Sequence, residues 1–281
     1  MRRTAREYVA TPALFVLLAL FLAGFVAVYA AALGAGPGAR ADRDALESQA
    51  AWQLGVPGPL NDLLGTISVG SLGLAALVAV AVALWRRRPD VAVAVVVVLV
   101  GANVTTQVLK EVLATADPLA LDSERAFASA FPSGHSTAAA SVGLVAVMAV
   151  APELRRATAT IAVIYAVGVG IATVALGWHY PSDVLGGYLV AGAWAAAVAA
   201  VLGLRHPEPS AAGLRGFAAP AMVGLVAAAL GTAAVLLDRA AGEFVFITDN
   251  TSFVAAATLI ALAGAMVIAA VAAQLDARRD L

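Results

Sequence analysis

The sequence lacks cysteine altogether and contains few charged residues. None of its 281 residues is a cysteine, so neither a disulfide nor a thiolate metal site can form. Only 12% of the residues are charged, whereas 62% are hydrophobic, and the mean hydropathy is +0.92. A water-soluble core cannot absorb that much apolar surface, so the composition excludes an ordinary soluble globular protein.

Long apolar runs account for most of the chain. A helix that crosses a membrane needs about 20 mostly apolar residues. Polar or Gly/Pro-containing segments divide the chain into such runs, which predict an all-α fold: a polytopic membrane helix bundle with about eight transmembrane helices. The predicted spans are 11–34, 63–85, 91–109, 136–151, 157–177, 184–204, 216–237 and 252–274.

The basic residues predict the orientation of this bundle. If the N-terminus is cytoplasmic, twelve of the seventeen basic residues lie inside, among them the run Arg86–Arg88. The positive-inside rule favours this arrangement, with both termini cytoplasmic in a multi-pass protein of the cell membrane. Because Arg86–Arg88 directly follows an apolar run, we interpret it as a membrane anchor. The chain has no helix-turn-helix pattern and no extended basic face, so nucleic acid is not an expected partner.

Three outer segments follow from this orientation. The segment 35–62 is predicted to be a loop with a short interfacial helix around Trp52. The segment 110–135 begins with Lys110, the only lysine of the chain, and the segment 178–183 is very short. The last two segments contain the candidate catalytic residues.

Two of the three histidines, His135 and His179, are predicted at the outer starts of helices, whereas His206 lies on the opposite face. His135 ends the sequence Phe-Pro-Ser-Gly-His, in which Ser133 and Gly134 directly precede an apolar helix. Free backbone N–H groups and the positive end of the helix dipole make such a helix start an anion site that suits a phosphate oxygen. An ordinary N-cap by Ser133 or Ser136 explains the same residues, and the two interpretations are compatible.

His179 and Asp183 are four residues apart at the start of the sixth predicted span. This spacing allows the carboxylate to reach the imidazole ring. A carboxylate that accepts a hydrogen bond from one ring nitrogen fixes the tautomer, leaves the other nitrogen free as a nucleophile and stabilises the charged ring.

These residues resemble the type 2 phosphatidic acid phosphatase superfamily, which includes membrane lipid-phosphate phosphatases and vanadium haloperoxidases. The resemblance covers roughly residues 103–190, where Pro132–His135 and the His179–Asp183 pair match its second and third motifs. It implies that His179 attacks phosphorus to give a phosphohistidine, that Asp183 orients His179, and that His135 protonates the leaving alkoxide. Lys110 matches the lysine of the first motif and is implied to contact phosphate, as are Ser133 and Gly134. No metal and no other cofactor is implied.

The resemblance also implies a division of the chain. Residues 1–210 are expected to form the phosphatase-like membrane domain with a six-helix core, and residues 211–281 an additional C-terminal transmembrane hairpin.

Both motif arginines that hold phosphate are replaced. The first motif should have Arg-Pro where this chain has Asp117-Pro118, and the third should have Arg at the position of Thr173. Since a charge-assisted hydrogen bond is worth about 1.5 to 3 kcal/mol, two uncompensated losses cost about 3 to 6 kcal/mol of transition-state stabilisation. Arg125 is the preferred substitute, ahead of Arg43 and Arg40, although a solvated charge paired with Glu124 is the alternative for Arg125.

The expected function is hydrolysis of a lipid phosphate monoester or diphosphate on the extracytoplasmic face, with membrane lipids as partners. Candidate substrates are phosphatidic acid, phosphatidylglycerol phosphate and polyprenyl phosphates. The alternative is a catalytically weakened member that binds or carries a lipid phosphate. A transporter ranks last, because the predicted helices contain almost no charge. The sequence does not determine the oligomeric state.

Overall fold

The structure is a computed structural model that describes residues 10–32, 36–113, 131–205 and 250–276. Within these ranges the chain forms ten α-helices and no β-strand. They are α1 (Ala10–Ala32), α2 (Pro37–Glu47), α3 (Ala50–Gln53), α4 (Pro57–Gly65), α5 (Val69–Trp85), α6 (Pro89–Leu113), α7 (Gly134–Ala149), α8 (Arg155–Ala175), α9 (Pro181–Arg205) and α10 (Thr251–Asp276).

Five of the described helices are long and apolar enough to cross a membrane: α1, α6, α8, α9 and α10. The pair α4 and α5 would add a sixth span, bent by 56° at a short break. The chain is therefore a multi-pass membrane protein with an all-α fold. Seven of the eight predicted spans coincide with described helices, and the span 216–237 lies outside the described residues.

Helix α7 differs from the other spans because it has only 16 residues. At 1.5 Å per residue it is about 24 Å long, shorter than the roughly 30 Å of a hydrocarbon core. Most of its side chains are buried against α6, α8, α9, α10 and α5. The first turn of α7 therefore starts within the bundle rather than above it.

Three predicted boundaries were wrong. The segment 35–62 is largely helical, with α2 and α4 in addition to the short helix α3 around Trp52. The second span begins at Val69 rather than at residue 63, because Ser68 and Ser71 form a capping box that starts a new helix. Lys110 belongs to the last turn of α6 and not to a loop, a position where a cation interacts favourably with the helix dipole.

Helix α10 packs along α8 and α9 and also contacts α7 and α2. The fully buried Arg155, at the start of α8, donates a 2.6 Å hydrogen bond to the carbonyl of Leu275 in the last turn of α10. This bond satisfies one of the carbonyls that have no partner within a helix end. The last described helix is thus bound directly to the helices that contain the two histidine motifs.

Candidate active site

The predicted catalytic residues come together at one end of the bundle. Lys110 lies in the last turn of α6, His135 in the first turn of α7, and Asp183 in the first turn of α9. His179 lies in the short connection between α8 and α9. The arginines that follow α5 and begin α8 lie at the opposite end of the bundle from the two histidines.

His179 and Asp183 form a buried pair. The Nδ1 atom of His179 lies 3.2 Å from Oδ2 of Asp183, which also accepts a 3.2 Å hydrogen bond from the backbone N–H of Tyr180. Asp183 is 2% exposed and His179 8% exposed. An ionised carboxylate only accepts hydrogen bonds, so an ionised Asp183 requires the ring proton on Nδ1 and leaves Nε2 with a free lone pair.

The second histidine faces this pair. The ring centroids of His135 and His179 are 6.4 Å apart, and the ring of Trp178 lies 5.6 Å from that of His135. Reacting atoms approach to about 3 to 3.5 Å before bond formation. A phosphorus atom and its leaving oxygen can therefore occupy the space between the two imidazole rings.

The predicted anion site lies at the start of α7. Ser133 is the N-cap: its hydroxyl accepts a 3.3 Å hydrogen bond from the N–H of Ser136, and its own N–H donates a 2.8 Å bond to the carbonyl of Asp183. A Cβ atom at Gly134 would stand only 3.4 Å from Nζ of Lys110, so the ammonium group lies directly beside the backbone of this turn. The N-cap interpretation of Ser133 is confirmed. Lys110 lies at the same helix start.

Close contacts between α6, α7 and α9 hold this arrangement. Thr106 and Thr137 share a buried 3.0 Å hydrogen bond between α6 and α7. On the other side, a Cβ atom at Gly187 would lie 2.8 Å from the carbonyl oxygen of Ser133. Only glycine allows α9 to approach α7 this closely, and this approach places Asp183 beside Ser133.

The polar groups of the site lie close to one another. Nζ of Lys110 lies beside the first turn of α7, where His135 is located, and the rings of His135 and His179 are 6.4 Å apart. One ammonium group, one carboxylate and two imidazoles thus share a mostly buried space, which suits the binding and transfer of an anionic group.

A comparison with protein-family models matches residues 91–207 to the model described as the PAP2 superfamily. Similarity of this part of the chain to the superfamily supports a phosphatase-type activity in general. Comparisons with curated proteins and with solved structures gave no match.

The PAP2 motif position that should hold an arginine in α8 holds a threonine with a local role. Thr173 is fully buried, and its hydroxyl donates a 2.8 Å hydrogen bond to the carbonyl of Gly170. Its own carbonyl accepts bonds from the N–H groups of Trp178 and His179, so it lies directly beneath the histidine connection. The threonine hydroxyl is therefore engaged within α8 and does not replace an arginine.

The structure describes only some of the other residues that the sequence singled out. Asp117 and Arg125 lie outside the described residues, as does His206. Arg40 and Arg43 lie on α2. The role of Arg125 as a substitute phosphate contact stays a prediction.

The sequence analysis gave no role to Asp42, which contacts the start of α9 in the structure. Its carboxylate binds the backbone and side chain of Ser182, the residue before Asp183. The two residues are 140 positions apart, and a carboxylate in a charged outer segment carries no signal that distinguishes it from a solvated one. No feature of the sequence could have identified this contact.

Proposed function

We propose that the protein is a membrane lipid-phosphate phosphatase that hydrolyses a phosphate monoester or diphosphate through a phosphohistidine on the extracytoplasmic face. The observation that carries the proposal is the buried His179–Asp183 pair with His135 6.4 Å away across the start of α7. The match of residues 91–207 to the PAP2 superfamily supports a phosphatase-type activity.

In the first step, Nε2 of His179 attacks phosphorus while the bond between phosphorus and the leaving oxygen breaks. His135 gives its proton to the leaving oxygen, which departs as the lipid alcohol or as a lipid monophosphate. Asp183 holds Nδ1–H and stabilises the positive charge that the ring of His179 acquires. The product of this step is a phosphohistidine.

In the second step, water attacks the phosphohistidine. His135, now neutral, accepts a proton from the water as it forms its bond to phosphorus, and the bond between Nε2 and phosphorus breaks. Inorganic phosphate leaves, and both histidines return to their starting protonation states. Lys110 and the N–H groups of Gly134 and His135 stabilise the negative charge on the phosphoryl oxygens in both steps. Ser133 fixes this turn and keeps its hydroxyl hydrogen as a further donor.

A lipid substrate is favoured by the surface beside the site. On α6, which ends with Lys110, the exposed side chains of Val104, Val108 and Val112 form one apolar stripe. A lipid tail can remain in the bilayer along this stripe while its phosphate reaches the ammonium group. Phosphatidic acid, phosphatidylglycerol phosphate and polyprenyl phosphates or diphosphates all satisfy this geometry.

A second candidate is a weakened family member that binds or carries a lipid phosphate without turnover. The specific observation in its favour is Thr173, whose hydroxyl is engaged by Gly170 where the motif has an arginine. Against it, binding alone needs neither a nucleophile nor its orienting acid.

The test is phosphate release by the purified protein in detergent, in the presence of a chelator, from a panel of these lipids and one soluble phosphate ester. We expect release from at least one lipid by the wild type and none by His179→Ala. His206→Ala is the matched control, because His206 is predicted on the opposite face, and it should release phosphate at the wild-type rate. Release that survives in His179→Ala would refute the histidine mechanism. Binding of lipid phosphate by a folded wild type without any release would favour the second candidate.

A further inference from the structure

One carboxylate of α2 binds the start of α9, next to the connection that contains His179. Oδ1 of Asp42 accepts a 2.9 Å hydrogen bond from the backbone N–H of Ser182, and Oδ2 accepts a 2.6 Å bond from the Ser182 hydroxyl. The two bonds use both carboxylate oxygens and so fix the orientation of the carboxylate relative to Ser182. Ser182 is 8% exposed, which limits the access of water that could replace Asp42.

Asp42 completes the hydrogen bonding at the start of α9. Pro181, the first residue of α9, has no N–H, and the N–H of Asp183 is bound to the carbonyl of Tyr180. The N–H of Ser182 lies between them in the chain and finds its acceptor on α2. Tyr180, which precedes the helix, is not a residue type that caps with its side chain. Asp42 therefore acts as an N-cap supplied by another helix, and its negative charge faces the positive end of the α9 dipole.

The capped turn is the one that orients His179. Asp183, the neighbour of Ser182, binds Nδ1 of His179 and the N–H of Tyr180 through the same oxygen, Oδ2. A rotation of the first turn of α9 would move this oxygen relative to the ring. The hydrogen bonds between Asp42 and Ser182 oppose such a rotation.

A second contact holds the other end of the connection. Gly177 has a φ of +75°, and a Cβ atom there would meet the side chain of Gln49 at 3.6 Å and the carbonyl of Leu46 at 3.9 Å. Leu46 belongs to α2, and Gln49 follows it. Helix α2 and the turn after it thus contact the connection on both sides of His179.

We propose that Asp42 is a positioning residue that fixes the first turn of α9, and with it the Asp183–His179 pair, for phosphoryl transfer. This inference rests on the proposed function for its kinetic part, and it has a structural part that does not need activity. The proposal gives α2 a role in the reaction, although α2 contains none of the sequence motifs.

The kinetic test compares Asp42→Ala with Asp44→Ala. Asp44 lies on the same helix, is exposed and makes no side-chain hydrogen bond that would be lost, so it controls for the removal of one carboxylate from α2. We expect Asp42→Ala to lower kcat by about 10- to 100-fold, the cost of a charge-assisted hydrogen bond, with KM unchanged within about twofold. Asp44→Ala should keep kcat within about twofold of the wild type.

Ser182→Ala removes only the hydroxyl bond and should cause a smaller loss than Asp42→Ala. The double variant Asp42→Ala/Ser182→Ala should have the kcat of Asp42→Ala, because the hydroxyl has no acceptor left once Asp42 is gone. Losses that multiply in the double variant would show that the two residues act independently and would overturn the proposal.

The structural test uses the three histidines of the chain. Nitrogen–proton correlation spectra of histidine-labelled protein in detergent report the tautomer of each ring, and the variants His135→Ala, His179→Ala and His206→Ala assign the signals. We expect His179 of the wild type to show the Nδ1–H tautomer and Asp42→Ala to shift it toward a mixture. Asp44→Ala should leave the His179 signals unchanged.

The outcomes separate the two proposals. If the wild type releases no phosphate, the proposed function fails while the spectra still decide the role of Asp42. If the wild type is active but Asp42→Ala has the kcat and the His179 spectrum of Asp44→Ala, the positioning role is refuted. Should Asp42→Ala not fold, Asp42→Leu keeps a side chain of similar size without an acceptor oxygen, and an unchanged His179 spectrum in that variant refutes the role as well.

Discussion

The substitution Asp183→Asn replaces one oxygen of a buried carboxylate with an amide nitrogen and leaves the shape of the side chain unchanged. In the wild type Oδ2 accepts from Nδ1 of His179 and from the N–H of Tyr180. The amide keeps one acceptor oxygen, which can occupy the position of Oδ2. It can no longer carry the negative charge that faces the ring.

Two losses set the expected magnitude. Loss of the charge-assisted bond to the ring costs about 1.5 to 3 kcal/mol, or about 10- to 150-fold in rate. If the amide turns its N–H₂ group toward Nδ1, the proton moves to Nε2, the nitrogen that must attack. The same carboxylate-to-amide change in a Ser-His-Asp triad lowers kcat by about 10⁴-fold through the wrong tautomer. We therefore expect kcat of Asp183→Asn to fall by about 10²- to 10⁴-fold.

The assay is steady-state phosphate release at saturating lipid in mixed detergent micelles. Asp62→Asn is the matched control, since Asp62 is exposed on α4 and undergoes the same chemical change. It should keep its activity within about twofold of the wild type. A folded Asp183→Asn variant that retains a third or more of the wild-type kcat would contradict the proposed role of Asp183.

Three further predictions concern phosphate binding and packing. Lys110→Met should raise the inhibition constant of inorganic phosphate and lower kcat/KM by about 10- to 100-fold, because it removes the ammonium group beside the first turn of α7. Lys110→Arg keeps the positive charge and should retain more activity. Equal losses in the two variants would contradict a charge effect. Gly187→Ala should lower stability by about 1 to 3 kcal/mol, since its Cβ would collide with the backbone of α7. Gly168→Ala, where a Cβ meets nothing within 4 Å, should leave the unfolding temperature in detergent unchanged or slightly higher. Arg155→Met should speed hydrogen exchange in the last turn of α10, because the carbonyl of Leu275 loses its donor, and an unchanged exchange rate would show that this bond does not hold the helix end.

The transmembrane helices and the histidine site were predictable from the sequence for different reasons. Apolar runs of about 20 residues have few alternatives to a spanning helix, because every backbone polar group must be satisfied within the bilayer. His135, His179 and Asp183 lie within short motifs, and the spacing of four in the last pair lets the ring before α9 meet the carboxylate in its first turn. Local sequence was sufficient in both cases.

Helix ends and contacts between distant segments were not predictable in the same way. Lys110 and Glu111 end the apolar run, yet α6 continues through them to Leu113. The break before Val69 depends on the capping box at Ser68, which an apolar run conceals. The bond between Asp42 and Ser182 requires the full fold, because only the packing of α2 against α9 brings the two residues together.

The most direct test of the account is to trap the covalent intermediate. The wild type and the variants His179→Ala and His135→Ala are mixed with a lipid phosphate that carries radiolabelled phosphate, quenched in alkali and separated in a denaturing gel. We predict a label on the wild-type chain that is stable in alkali and lost in acid, as expected for phosphohistidine, and no label on His179→Ala. His135→Ala should keep its label longer when the leaving group is a good one, because hydrolysis of the intermediate needs His135 as a base. Turnover of the lipid without any labelled chain, or an equal label on His179→Ala, would contradict the assignment of His179 as the nucleophile.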